Sequence, residues 1–166
     1  MSAAGDRGYV EDMSTHDDPR PLGGYLAMIG IYTSLTGAAV YALRNRRDRV
    51  RRPSPMDLAL LALATQHLSR LVSKDGVTAP LRAPFTEFEG AAGEGEVNEQ
   101  VVGSGIRHAL GELISCPFCL DQWMATALVA GWVAAPNLST AAMSALAAAQ
   151  VSDYLHLVYA ALRHRQ

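Results

Sequence analysis

Lysine is nearly missing from this chain: of 14 basic residues, Lys74 is the one lysine. We read that as compositional bias of the genome rather than as chemistry. Charge of either sign is scarce. Only 18% of the 166 residues are charged while 49% are hydrophobic, whereas a soluble domain carries about 25% charge. The deficit is concentrated in long charge-free stretches, the pattern of a membrane protein rather than of an evenly apolar soluble one. There are two cysteines, Cys116 and Cys119, which excludes a disulfide scaffold of the secreted kind. The net charge of −2 says nothing about nucleic acid; no basic face interleaved with aromatics is present, so no nucleic-acid partner is expected. No phosphate-binding loop, catalytic triad or metalloprotease motif is present. The first apolar run follows an acidic segment and lacks a small-residue cleavage site, so no cleavable signal peptide is expected.

What is present falls into segments. Residues 1–20 hold Asp6, Glu11, Asp12, Asp17 and Asp18 among Gly, Ser and Pro, an acidic tail too polar to order itself. Residues 21–43 form the first membrane helix: Leu22 to Leu43 carries no charge and is long enough to span a bilayer. Gly30, Ser34 and Ala38 put small residues on one face for a neighbouring helix. Tyr25 and Tyr41 stand near the two ends, as interfacial aromatics do. Residues 44–55 are an Arg-rich linker, with Arg44, Arg46, Arg47, Arg49, Arg51 and Arg52, expected in the cytoplasm under the positive-inside rule and attractive to anionic lipid. That puts the N-terminus outside.

Residues 56–162 form the remaining membrane domain. Met56 to Val72 is a helix with a short apolar core and a polar face at Gln66, His67 and Arg70; it is expected not to cross fully. Residues 74–104 read as a solvated polar loop, in which Glu94 to Gly103 has hairpin character. EF-hand spacing is absent from its acids. Ser104 caps a short amphipathic helix, Gly105 to Ile114, expected to lie on the membrane surface. A helix from Pro117 to about Ala135 follows, with Trp123 and Trp132 as markers of interface depth. Pro136-Asn137 reads as a tight turn, and Ser139 or Thr140 as the cap of a last helix reaching Leu162. A turn that short makes the last two helices an antiparallel hairpin. Placing both the Arg block and the terminal Arg163 and Arg165 inside requires three full crossings, with the 56–72 helix not crossing.

Two groups of residues can carry chemistry. Cys116 and Cys119 lie at a helix start, where backbone amides favour a thiolate. The pair reads as structural, as a redox dithiol, or as half of a zinc site that His108, Asp121 or His67 would have to complete. The second group is polar residues inside membrane-like helices. His67 with Arg70, and Asp153 with His156, share helix faces at a spacing of three. Arg70 with Asp153 is the expected ion pair if their helices touch, either fixing the packing or serving a proton or ion path.

Several short pieces occur in a distinctive order: Ala64-Thr65-x-x-Leu68-Ser69-Arg70-Leu71, Lys74-Asp75-x-Val77-Thr78-x-Pro80-Leu81-Arg82-x-Pro84-Phe85, and Gly95-Glu96-Val97-x-Glu99. Gly111-Glu112-Leu113, Cys116-Pro117-Phe118-Cys119 and Asp153-x-x-His156 follow. Together they resemble the bacterial membrane-protein family catalogued as domain of unknown function 1360, over about residues 56 to 162. The resemblance implies a small polytopic bacterial membrane protein and no activity.

The expectation is therefore an all-α, polytopic integral membrane protein with three to four membrane-associated helices and a C-terminal helical hairpin. It would sit in the bacterial inner membrane, in contact with lipid and with a membrane-protein partner or a second copy of itself. The expected function is that of a non-enzymatic accessory or scaffold component without a cofactor. The alternative is a thiol redox or zinc-binding protein using Cys116 and Cys119.

Overall fold

The computed structural model of the protein describes residues 21–46 and 52–163. The expected acidic tail, together with Arg47, Arg49, Arg51, His164 and Arg165, lies outside the described residues. The described chain is mainly helical: α1 Leu22–Leu43, α2 Pro55–Ser73, the single turn α3 Ala79–Arg82, α4 Gly105–Ser115, α5 Pro117–Ala134 and α6 Pro136–Arg163. An antiparallel hairpin, β1 Thr86–Ala91 and β2 Val97–Val101, adds a two-stranded sheet, so the expectation of an all-α fold is corrected. The strands sit earlier than the sequence suggested, pairing Thr86 with Val101 and Ala91 with Val97 around a bulge at Phe88 to Gly90. Phe88, Val97 and Val101 provide the β-prone side chains, while the Gly-rich stretch between the strands turns the chain.

Local chemistry explains the helix boundaries. Ser54 and Asp57 form a reciprocal capping box at α2: the Asp57 N–H donates to Ser54 Oγ at 3.2 Å, and the Ser54 N–H to Asp57 Oδ2 at 2.7 Å. Pro117 opens α5 in the first turn, where its missing N–H leaves nothing unpaired. Pro136 does the same for α6, which therefore begins three residues before the expected Ser139 cap. Only Ala135 separates α5 from α6, so the expected antiparallel hairpin forms.

Helix directions follow from side-chain contacts. Along α1 and α5, Tyr32 meets Thr126 and Gln122, and Arg46 reaches the Ala134 carbonyl at 3.0 Å. The two helices thus run in the same direction. Along α2 and α5 the order reverses, Ser69 meeting Asp121 while Leu61 packs by Leu128 and Trp132. Helix α6 runs with α2: Ala64 shares the core with Met143, His67 meets Asp153 further along, and Arg70 lines one cavity with His156 and Leu157. The four long helices therefore lie side by side, and the end holding Arg44 and Arg46 lies opposite the 74–104 segment. The expected arrangement would have α1 and α5 antiparallel; they run in parallel.

The bundle core is small: Ala64, Trp132 and Met143 are buried together, flanked by Leu61, Leu128 and Leu146. Trp132 is thus a core residue and not an interface marker. On α1 the contact glycine is Gly24, not Gly30. A Cβ on Gly24 would lie 2.8 Å from Ala109 Cβ and from the Gly105 carbonyl oxygen, whereas Gly30 has open space beside it. Helix α4 crosses the end of the bundle and meets α5 at an 82° bend. Among the described residues α1 is the one unbroken helix long and apolar enough to cross a membrane, and α4 with α5 makes a bent second candidate.

Candidate functional site: a folded polar cap and the cradle beneath it

The 74–104 segment is not a solvated loop. It folds around Arg82, whose side chain is fully buried. The guanidinium donates from Nε to Glu99 Oε2 at 2.5 Å, from Nη1 to the Val72 carbonyl at 2.6 Å and Thr78 Oγ1 at 2.8 Å, and from Nη2 to the Asp75 carbonyl at 3.0 Å. A rigid planar fork suits such a hub, because it fixes several acceptors at once. The Glu99 side chain is 6% exposed, so the pair joins the end of α2, α3 and β2 in a medium of reduced dielectric. Arg107 ties α4 to the cap through two bonds to the Pro84 carbonyl, at 3.0 and 2.7 Å. Gly111 lets α4 sit close against β2: a Cβ there would be 2.6 Å from Val101 Cγ1.

Under the cap, where α2 and α6 end, lies a cavity of about 440 Å³. Arg70, Asp75, Glu94, Asp153, His156 and Arg163 line it. The structure thus brings Arg70, Asp153 and His156 together, with His67 in contact through Asp153 at 3.5 Å. The expected Arg70–Asp153 ion pair is corrected: Arg70 pairs with Glu96 of the hairpin, and Asp153 faces His67. Burial pushes the Asp75 carboxyl above its ordinary range; Arg70 opposes the shift, and Glu96 adds to it. Arg163 stacks over the Tyr159 ring at 5.9 Å. Sequence reasoning missed Asp75, Glu94, Glu96 and Arg163 as cradle residues. A signal existed for two of them, since Asp75 and Glu96 stand in the same short pieces that carry the family resemblance.

The cysteine pair is arranged differently from the expected metal site. Both thiols are free. Cys116 Sγ accepts the Cys119 N–H at 3.2 Å and so caps α5. His108 instead lies 3.5 Å from Glu112, whose other oxygen accepts the Tyr25 hydroxyl at 2.6 Å, and Asp121 accepts the Ser69 hydroxyl. Among the described residues no three His, Cys, Asp or Glu side chains converge to hold a metal ion. Cys116, Cys119, His108 and Asp121 are therefore not gathered into one ligand set.

These features define a mostly helical protein with, among the described residues, one unbroken membrane-span candidate and a polar cap held by the buried Arg82–Glu99 ion pair. The chain belongs to the family described as protein of unknown function (DUF1360), whose model matches residues 60–159. It is similar to the sporulation protein YjcA of Bacillus subtilis (strain 168), with 38% identity over 77 residues. That match covers 45% of this chain and 65% of the relative. No solved structure matches the chain.

Proposed function

We propose that the protein is a multi-pass component of the bacterial inner membrane that acts without catalysis, as an accessory or scaffold subunit. The observation that carries this reading is the surface of α1. It is uncharged over 22 residues, and Leu26 (69% exposed), Ile29 (59%), Leu35 (59%) and Val40 (67%) all point away from the protein. Such a surface needs a bilayer or a partner helix to cover it. Four crossings, by α1, α2, α5 and α6, fit the helix directions. The Arg block then lies in the cytoplasm, and the N-terminus, the cap and the cysteines lie outside. Arg163 also falls on the outer side, where Asp75, Glu94 and Asp153 line the same cavity and offset its charge. The fixed, ion-paired cap offers a rigid surface for a partner. The relative's name extends the proposal to a role in spore formation.

Two experiments test it. A membrane-impermeant maleimide should label Cys116 or Cys119 in intact cells or spheroplasts without lysis. A Ser54→Cys variant in a cysteine-free background should label only after lysis. The opposite pattern would refute the orientation. For function, the full chain should restore heat-resistant spore counts to a Bacillus subtilis strain lacking YjcA, and its Cys116→Ser/Cys119→Ser variant should do so equally. Failure of both, with the protein present in the membrane, would remove the sporulation role. Rescue by the wild type alone would revive a thiol function.

A further inference from the structure

Helices α1 and α5 are joined in two layers. In the middle of α1, Tyr32 meets Thr126 at 2.7 Å and packs edge-on against Trp123, with ring centroids 5.1 Å apart. At the far end Arg46 reaches the Ala134 carbonyl. Among the described residues no hydrogen bond joins the two helices between these layers. The side chains there are too small to close the gap: Ala39 on α1, and Ala125 and Ala130 on α5, line a groove of about 470 Å³. Val40, Leu43 and Val133 add apolar wall. The groove extends from Thr36 to Arg44 on α1 and from Gln122 to Val133 on α5, which is about 12–16 Å at the rise of an α-helix.

Charge is confined to one end of this groove. Arg44 stands there, with its guanidinium 4.0 Å from the Tyr41 ring centroid. Among the described residues no carboxylate lies within ion-pair distance of it. Arg46 uses one donor on the Ala134 carbonyl and keeps the others of its fork. Helices α1 and α5 both end here, and their dipoles together supply about one negative charge; the two guanidiniums outweigh it. The sequence from 44 to 52 holds six arginines against one acid, Asp48, so this end is net positive. The groove therefore runs from the middle of an uncharged helix to the first cation beyond it, an apolar trough with a basic mouth.

From this arrangement we propose that the α1–α5 groove binds an anionic phospholipid, with one acyl chain lying along Ala39, Ala125 and Ala130 and the phosphate on Arg44 and Arg46. Size selects a single chain. The mean cross-section of the groove is about 30–40 Å², against roughly 80–110 Å² for a helix 10–12 Å across, so a partner helix does not fit inside it. Charge selects the headgroup. An anionic phosphate gives both guanidiniums charge-assisted bonds, whereas a zwitterionic headgroup brings a cation of its own to the same mouth. The site rests on the reading of the protein as a membrane component, but not on which side of the membrane Arg44 faces.

The test uses the full chain and begins with its extraction. Recovery in the soluble fraction of cells broken without detergent would overturn the membrane reading and this proposal together. Chain recovered from the membrane is purified in detergent and offered phosphatidylglycerol and phosphatidylcholine at equal concentration, and bound lipid is counted by native mass spectrometry. One phosphatidylglycerol per chain should be retained, saturably and in preference to phosphatidylcholine. Arg44→Gln should reduce that preference about fivefold. Ala130→Phe, which fills part of the groove, should abolish retention of either lipid. Arg44 is exposed, so its variant keeps the test informative if Ala130→Phe fails to fold. Equal retention of the two lipids by the wild type, or a preference unchanged in both variants, would overturn the proposal and leave the membrane reading standing. So would a dimer in place of bound lipid that Ala130→Phe disrupts, because a second copy would then cover the groove.

Discussion

Arg82→Met is the perturbation that most directly tests how the cap is held. The change keeps most of the apolar stem and removes a guanidinium that is fully buried. It strands Glu99, 6% exposed, as a charge without its partner, and frees the acceptors at Val72, Asp75 and Thr78. Breaking a buried ion pair from one side costs about 3–5 kcal/mol. At roughly 1.4 kcal/mol per power of ten, that is a fall of about two to three and a half powers of ten in the protection of cap amides. If the cap's own opening free energy is smaller, protection falls to the unfolded limit. Hydrogen exchange read by mass spectrometry on the full chain resolves this by region. The loss should fall on residues 74–104 and spare α5 and α6, since no bond of Arg82 reaches those helices. Replacing both partners, Arg82→Met with Glu99→Leu, should recover much of the protection, because an apolar pair leaves no stranded charge. A loss spread evenly over the bundle, or a double variant no better than the single one, would refute the argument.

Other outcomes follow from the same structure. Gly24→Val should separate α1 from α4 and lower stability by about 1–3 kcal/mol, seen as a lower melting temperature in detergent, whereas Gly30→Val should have little effect. Burial raises the Asp75 carboxyl, so the folded state holds this proton more tightly than the unfolded chain. Stability from this group is therefore present below the ordinary carboxylate range and falls as pH rises through the raised value. Asp75→Asn should flatten that fall in a series of melting curves at increasing pH. Cys116→Ser with Cys119→Ser should change stability by no more than about 0.5 kcal/mol, because a serine hydroxyl caps the same N–H. A large loss would mean that the thiols do more than cap α5.

The helices were legible because each carries its own local signal. Leu22–Leu43 announces itself by the absence of charge, α2 by its run of Leu and Ala, and α5 by Pro117. The helical hairpin followed from the brevity of its turn, and His67, Arg70, Asp153 and His156 stood out as polar residues on apolar helices. The cap was not legible. Arg82 reads as one more arginine in a polar stretch, and only the fold brings Val72, Asp75, Thr78 and Glu99 around it. The Arg70–Glu96 pair escaped for the same reason, since the hairpin and not the helix spacing delivers Glu96.

Sequence by itself determined where the helices lie and which faces are apolar, because periodicity, capping and charge act within a few residues of one another. It also determined the family. Tertiary structure alone decided that α1 and α5 run in parallel and that the end holding Arg44 and Arg46 lies opposite the cap. These are outcomes of packing between segments dozens of residues apart, where the partner that neutralises a charge or fills a groove is set by the fold and not by the neighbouring sequence.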